Sequence, residues 1–227
     1  MSTTVPMLTG PPRIRTLPGV YIPQHDTHLL LGALRREESV FGTDLLDIGT
    51  GSGVLAVQAA RMGARVTAVD VALRAVLTTR LNAALARQRI AVHRSDLTAS
   101  APDRSYDVVV SNPPYVPAPH TRPHGQGAAR AWDAGPDGRA VVDRICDAAP
   151  ALLRSGGVLL MVHSGLCGAG ATVRRLEEAG LRANVSDRAL VPFGPVLLSR
   201  LPWLRRQSLL EDGADKEELV VIRAEQP

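Results

Sequence analysis

The chain has 227 residues, enough to bury a sizeable core in a single α/β domain whose sheet has about seven strands. Its formal net charge is +4, but the arginines are scattered and Lys216 is the only lysine, so a nucleic-acid-binding role is disfavoured. The sequence shows neither a signal-peptide pattern nor an apolar run of about 18 residues, so we expect a cytoplasmic protein without a membrane span.

The first informative element follows residues 1–40, which we expect to form an N-terminal segment and a leucine-rich helix. An apolar strand over residues 45–48 ends in three alternating glycines, Gly49, Gly51 and Gly53, and leads into a helical stretch. Glycine permits positive φ and close backbone approach, and the start of a helix presents free N–H groups. The loop therefore suits a nucleotide-like ligand.

The spacing of these glycines indicates which ligand is bound. The dinucleotide fingerprint requires a glycine at position 54, where this chain has Val54, so an NAD enzyme is disfavoured. The alternating glycines after the acidic Asp47 instead resemble the S-adenosylmethionine (SAM) loop of class I methyltransferases. A tight strand-to-helix turn without a ligand stays open as the alternative at this point.

Two further strands are predicted to end near acidic residues. The strand over 65–70 ends at Asp70, roughly twenty residues past the glycines, where a carboxylate accepts hydrogen bonds from ribose hydroxyls. A third strand over 90–93 leads to Asp96, which in methyltransferases is the position that receives the adenine amino group. Either aspartate could instead cap the next helix or turn. A helix is predicted over 71–88, where apolar residues recur at helical spacing: Leu73, Val76, Leu77, Leu81, Ala84 and Leu85.

A hydrogen-bond clamp is predicted where the fourth strand ends, in the segment Asn112-Pro113-Pro114-Tyr115. Proline lacks an N–H and fixes φ, so the segment is held extended with its carbonyls free to accept. The side-chain oxygen of Asn112 and the carbonyl of Pro113 suit the two hydrogens of an NH₂ group, whose nitrogen then attacks a methyl group. Alternating strands and helices imply a parallel sheet of order 3-2-1-4-5, which places Gly49 and Asn112 across one crevice.

With these motifs the chain resembles the HemK/PrmC group of glutamine N5-methyltransferases over most of its length. The resemblance is strongest with the short single-domain branch, which opens with a Val-Tyr-x-Pro-x-x-Asp-Thr segment like residues 20–27, and residues 131–139 also match that branch. His25 departs from the acidic residue usual there, which puts a polar contact from that position to the cofactor in doubt. The resemblance implies a Rossmann-like class I methyltransferase fold: a mostly parallel seven-stranded sheet, helices on both faces and an antiparallel last strand.

The residues and the resemblance together predict the site. SAM is the expected cofactor, with S-adenosylhomocysteine as its product, and no metal is expected. The predicted catalytic residues are Asn112, Pro113 and Tyr115, and Pro114 joins them in binding the substrate. The predicted cofactor contacts are Thr27, Asp47, Gly49, Thr50, Gly51, Gly53, Asp70, Asp96 and Leu97.

The resemblance implies SAM-dependent N-methylation of a side-chain amide, glutamine N5 of a protein such as a translation release factor. An exocyclic amine of adenine in DNA or RNA, and a glutamine or asparagine of a peptide natural product, remain alternatives. A non-catalytic SAM-binding subunit is disfavoured because the segment from Asn112 to Tyr115 is intact. The expected partner is a protein or peptide substrate, and a small activator subunit or a homodimer is left open.

We expect one methyltransferase domain over residues 1–227, without the N-terminal helical substrate domain of the longer bacterial members. Residues 116–137 are predicted to form a substrate loop, in which His120 and His124 are candidates for substrate contact that amide methylation does not require. Residues 191–215 are expected to form an insertion before the last strand, and residues 191–204 within it are rich in proline and large apolar residues. It covers the substrate groove, binds a partner, or is a long loop before the last strand.

Overall fold

The computed structural model of the protein describes residues 14–37, 40–96, 105–119 and 131–227. In chain order its helices and strands are α1 (His25–Arg36), β1 (Asp44–Ile48), α2 (Val54–Arg61), β2 (Arg65–Asp70), α3 (Leu73–Leu85), β3 (Ile90–Arg94), β4 (Tyr106–Ser111), α4 (Val142–Leu152), β5 (Leu153–Ser164), α5 (Ala169–Glu178), β6 (Arg182–Pro192), α6 (Pro195–Arg206) and β7 (Lys216–Glu225). A 3-10 turn follows β5.

The seven strands form one sheet in the order β3-β2-β1-β4-β5-β7-β6. The pairings among the first five strands are parallel, whereas β7 runs antiparallel to both β5 and β6. Parallel neighbours need a crossover, and the helices between the strands supply it. The strand order and the antiparallel last strand confirm the fold predicted from the sequence.

The register of β1 and β4 brings the two predicted motifs together. Ile48 is paired with Ser111, and the Ser111 hydroxyl donates a 2.9 Å hydrogen bond to the Ile48 carbonyl. Gly49 and Asn112 therefore leave neighbouring strands at the same level. This is the point where the strand order reverses, and ligands of open α/β sheets bind there.

Hydrophobic cores lie on both faces of the sheet. Leu34 of α1 and Leu160 of β5 belong to the core shared with α2 and α3, and both are completely buried. The next residue along β5 points to the opposite face, so Leu159 packs with Leu176 of α5 in a second core that α4 completes. Burial of apolar side chains on both faces fixes the sheet between two layers of helices.

Helix α3 is confirmed and its Val76 is buried in the core, but four of its predicted apolar residues face an unexpected direction. Helical periodicity normally marks the face that packs on the core. Here four leucines, each 42–55% exposed, lie on the solvent side: Leu73, Leu77, Leu81 and Leu85. The buried side instead includes Thr78, Thr79 and Asn82.

The insertion at 191–215 contains helix α6 and is more than a loop. Its residues Phe193, Leu197 and Leu204 form a buried cluster with Val116, one residue after the predicted clamp. The guanidinium of Arg200 on α6 donates a 2.9 Å hydrogen bond to the Pro117 carbonyl. The insertion therefore packs directly against the chain that leaves the clamp, and a role in the substrate groove or in partner binding stays a prediction.

Candidate active site

The loop over residues 49–53, here called the glycine loop, adopts the backbone conformation that its glycines permit. Gly49, Gly51 and Gly53 have φ angles of 70°, 54° and 79°. A Cβ on Gly49 would meet no heavy atom within 4 Å, and one on Gly51 only a backbone oxygen at 3.8 Å. A Cβ on Gly53 would lie 2.8 Å from the side chain of Thr79 on α3. The first two glycines thus border open space, while the third allows the loop to contact α3.

Asp47 and Thr50 hold the glycine loop from inside. One oxygen of the fully buried Asp47 carboxylate accepts hydrogen bonds from the Thr50 hydroxyl, at 2.7 Å, and from the Ala56 N–H of α2, at 3.2 Å. The other oxygen is buried without a partner among the described residues. Burial raises the pKa of Asp47 to about 7, although the hydrogen bonds from Thr50 and Ala56 act to lower it. Both side chains therefore shape the loop at the start of α2.

Asp70 fastens the glycine loop to the end of β2. One of its carboxylate oxygens accepts a 3.0 Å hydrogen bond from the Gly51 N–H, and the other accepts a 2.8 Å bond from the Ala72 N–H. The second contact is the turn-capping role that the sequence left open. The first contact places the carboxylate beside the open part of the loop, where the predicted ribose contact would be made.

Asp96 follows the next strand, and its half-exposed side chain forms a 2.8 Å ion pair with Arg144 of α4. It lies beyond the end of β3 on the carboxyl edge of the sheet, as the prediction of an adenine contact requires. Leu97 lies outside the described residues, as do His120 and His124.

The arrangement fits a ligand made of a nucleoside and an amino acid. A cradle of left-handed glycines opens at Gly49 and Gly51, and the carboxylates of Asp70 and Asp96 follow successive neighbouring strands. Carboxylates at these strand ends can accept from hydroxyl and amino hydrogens. These residues are the ones that could hold SAM.

The acceptor side of the crevice is organised by Asp26, a residue that we did not assign to the site from the sequence. Its carboxylate is 3% exposed and lies in the first turn of α1. One oxygen accepts from the hydroxyls of Tyr21, at 2.8 Å, and Tyr115, at 3.0 Å, and from the Asn112 amide, at 3.0 Å. The other accepts from the Thr27 N–H at 2.6 Å. We call these five residues the Asp26 cluster.

The Asp26 cluster fixes which way the Asn112 amide points. The amide nitrogen of Asn112 donates to Asp26 and, at 3.2 Å, to the Thr27 hydroxyl. Because a carboxylate only accepts hydrogen bonds, the NH₂ end of the amide has to face Asp26. The amide oxygen is then turned away from Asp26, as the clamp requires. Thr27, predicted as a cofactor contact, is buried within the cluster.

Negative charges near the cluster keep its tyrosines protonated. Burial, followed by the charge of Asp26, raises the pKa of Tyr21 and of Tyr115, and Glu217 at the start of β7 adds to this effect. Burial also raises the pKa of Glu217 to about 7, and one of its oxygens is buried without a partner among the described residues. Both tyrosine hydroxyls therefore act as donors to Asp26.

A signal for Asp26 was present in the sequence. Tyr21, Asp26 and Thr27 are among the fixed positions of the Val-Tyr-x-Pro-x-x-Asp-Thr segment, of which only Thr27 is predicted to belong to the site. Their contact with Asn112 joins residues 86 positions apart, which no local pattern predicts.

The structure adds two observations on the described residues. No group of three or more histidine, cysteine, aspartate or glutamate side chains in residues 14–37, 40–96, 105–119 and 131–227 is placed to hold a metal ion. Within the same ranges, no helix has both the length and the apolar character needed to cross a membrane.

Fold and site together define a class I SAM-dependent methyltransferase, and comparison with known proteins agrees. Residues 12–126 match the model of the methyltransferase small domain family. A putative protein N5-glutamine methyltransferase of Methanocaldococcus jannaschii is 33% identical over 82% of this chain and 93% of its own length. The chain therefore belongs to the methyltransferase small domain family.

Two further relatives carry related names. A release factor glutamine methyltransferase of Geobacter sulfurreducens is 36% identical over 66% of this chain, which spans about half (54%) of that relative's length. The E. cuniculi Mtq2-Trm112 complex, responsible for methylation of the eRF1 translation termination factor, has a chain that matches with a TM-score of 0.66. That match is 27% identical and covers 92% of this chain and 99% of the other. The resemblance to glutamine N5-methyltransferases is thereby confirmed.

Proposed function

We propose that the protein transfers the methyl group of SAM to the side-chain amide nitrogen of a glutamine in a protein, a translation release factor being the first candidate. The observation that carries this proposal is the fixed Asn112 amide, whose NH₂ end is held by Asp26, so that its oxygen is left to accept a hydrogen bond just after the end of β4. The names of the M. jannaschii and G. sulfurreducens relatives support a glutamine acceptor.

The acceptor amide would be held by two hydrogen bonds. The Asn112 Oδ1 and the Pro113 carbonyl each accept one hydrogen of the acceptor NH₂ group, so the nitrogen is oriented with its lone pair free. Positioning of this kind supplies several kcal/mol when the reacting atoms are held about 3–3.5 Å apart. The two acceptors also stabilise the positive charge that develops on the nitrogen.

Asp26 prepares this geometry before the acceptor arrives. Its carboxylate holds the Asn112 NH₂ end, so the amide does not have to choose its orientation during the reaction. It also holds the Tyr115 hydroxyl, which fixes the aromatic ring at the edge of the acceptor position. Preorganised polar groups lower the barrier because they need no rearrangement in the transition state.

SAM supplies an electrophilic methyl group, and the glycine loop with Asp70 would hold it. When the new C–N bond forms, the S–CH₃ electron pair stays on sulfur and the nitrogen must lose one proton to give the neutral N-methyl amide. The hydrogen bonds to Asn112 and Pro113 would direct the departing proton away from the methyl donor. Because neither oxygen is basic enough to keep the proton, it would pass to solvent water.

An exocyclic amine of adenine in DNA or RNA is the rival acceptor, because the same pair of acceptors suits its NH₂ group. An assay with radiolabelled SAM distinguishes the glutamine acceptor from the adenine acceptor. It offers the enzyme a release factor, the same factor with its acceptor glutamine replaced, and an oligonucleotide. We expect label only on the unaltered factor. Stoichiometric labelling of the oligonucleotide at physiological salt, with none on protein, would replace the proposal by the adenine enzyme.

A further inference from the structure

The outer face of α3 carries a row of large apolar side chains, where a surface helix normally has polar residues. The four leucines Leu73, Leu77, Leu81 and Leu85 are spaced four residues apart, and each is 42–55% exposed. Such spacing places them in one stripe on the solvent side. Scattered exposed leucines are normal, whereas a contiguous stripe marks an interaction surface.

Polar residues on the inner face of α3 bond the glycine loop. The Thr79 hydroxyl donates a 3.1 Å hydrogen bond to the Gly51 carbonyl, and the Asn82 amide donates at 2.8 Å to the Ser52 carbonyl. Both side chains are at most 2% exposed. The inner face therefore supports the glycine loop, and the apolar outer face needs a separate explanation.

The charged residues of α3 itself and of the segment that follows it to residue 95 are of one sign. Residues 71–95 contain no aspartate or glutamate and five arginines: Arg74, Arg80, Arg87, Arg89 and Arg94. Among the described residues, none of Arg74, Arg80, Arg87 and Arg89 forms an ion pair with a carboxylate. By contrast, arginines elsewhere, such as Arg175 with Asp147, are paired. The stripe is therefore apolar at its centre and basic at its rim.

We propose that this face of α3, from Leu73 to Leu85, is the docking surface for a separate protein whose contact surface is apolar at its centre and acidic at its rim. Apolar burial would supply the affinity, and opposite charges at the rim would supply specificity and fast association. The docked protein would contact α3, the helix that bonds Gly51 and Ser52 of the glycine loop from its inner side.

Three other occupants fit the surface less well. A second copy of this chain on the same face would place arginines against arginines. Nucleic acid would pair with the arginines but would leave the leucines without apolar contact. Residues 1–13 contain no carboxylate side chain, and residues 15–18 already contact Asn82 and Arg74 without covering the leucines.

The test places a photo-crosslinking amino acid, p-benzoylphenylalanine, at position 81 of the full chain in cells of the source organism. Position 198 serves as the matched control, because Leu198, at 52% exposure, is at least as accessible as Leu81, at 42%, but lies on α6. We expect position 81 to give a covalent adduct with a different protein that position 198 does not capture. The captured protein is then identified by mass spectrometry, purified and titrated against the full chain by calorimetry.

In the calorimetric titration, L77E/L81E and R74E/R80E should each weaken binding at least tenfold, and L198E should leave it unchanged. Melting temperatures check that each variant is folded. An adduct with a second copy, with residues 1–13 of the same chain or with nucleic acid would overturn the proposal, as would no adduct or equal affinity of all variants. These readouts measure binding alone, so they are independent of whether the proposed acceptor is methylated.

Discussion

The two sides of the crevice are built in different ways. The cofactor side comes from one stretch of chain, in which Asp47, Gly51 and Asp70 lie within 24 residues and are joined by hydrogen bonds to neighbouring loops. The acceptor side joins Tyr21 and Asp26 to Asn112 and Tyr115, which are far apart in sequence. The cofactor half therefore depends on backbone conformation, whereas the acceptor half depends on one buried carboxylate.

The largest effect should come from Asn112, which belongs to the acceptor side. Asn112→Ala should lower turnover on the order of a hundredfold or more, because one preorganised polar contact is lost in the transition state. SAM affinity should stay within a few-fold, as measured by calorimetry. Near-normal turnover in a single-turnover assay would show that the acceptor amide is not held by Asn112.

Asp26→Asn tests whether the carboxylate orients the acceptor side. An asparagine cannot accept from all three donors, and an unsatisfied buried donor costs about 1–3 kcal/mol, so turnover should fall roughly tenfold to a hundredfold. SAM affinity should change little. Tyr21→Phe is the matched control, since it leaves the bonds of Asn112 and Tyr115 in place. Equal loss of turnover in the control would mean that the cluster is merely structural.

Asp70→Ala tests the cofactor side. SAM affinity should weaken by about an order of magnitude, because a charge-assisted ribose contact and the anchor of the Gly51 N–H are both lost. Single-turnover rates at saturating SAM should fall much less than in Asn112→Ala. Unchanged affinity by calorimetry would remove Asp70 from the cofactor site.

Gly53→Ala tests the dependence of the cofactor side on backbone conformation. Its control is Gly42→Ala, because both residues have φ near 79° and only Gly53 has a neighbour, Thr79, within contact distance of a Cβ. Gly53→Ala should be more destabilising by about 1–3 kcal/mol, as urea unfolding measures. Equal destabilisation of both variants would show that the contact with α3 does not constrain the loop.

The smallest effect concerns pH. The folded-state pKa of Asp47 is about 7, above its ordinary value, so between about pH 4 and 7 the folded state holds more protons than the unfolded state. The free energy of unfolding should therefore fall as pH rises through this window and level off above it. Asp47→Asn should reduce the slope between pH 5 and 7.5 in urea titrations.

Asp147 provides the control for the pH experiment. Its exposed carboxylate pairs with Arg175, whose hydrogen bond lowers the pKa of Asp147 below its ordinary value. Stability from this group is present above that ordinary value and is lost only at lower pH. Asp147→Asn should thus leave the slope between pH 5 and 7.5 unchanged, and a slope insensitive to Asp47→Asn would mean that Asp47 ionises normally.

The residues alone predicted the parallel sheet, the glycine loop and the position of Asn112, because each depends on local chemistry, whereas the antiparallel last strand followed from the family resemblance. Glycines at Gly49 and Gly51 permit positive φ, prolines at Pro113 and Pro114 hold an extended chain, and alternating elements imply a parallel sheet. The glycine loop and Asn112 were expected to meet because ligands of open α/β sheets bind beyond the carboxyl ends of the strands, where the strand order reverses. Local rules were sufficient up to this point.

Only the tertiary structure decided the rest. It brought Asp26 to Asn112 across 86 positions, and it turned the leucines of α3 outward because Thr79 and Asn82 bond the loop on the inside. Helical periodicity predicts that a helix has an apolar face, but it does not predict which face packs against the neighbouring elements. The hydrogen bonds of Thr79 and Asn82 leave no unsatisfied carbonyl at Gly51 and Ser52, and they require these two polar side chains on the inner side of the helix.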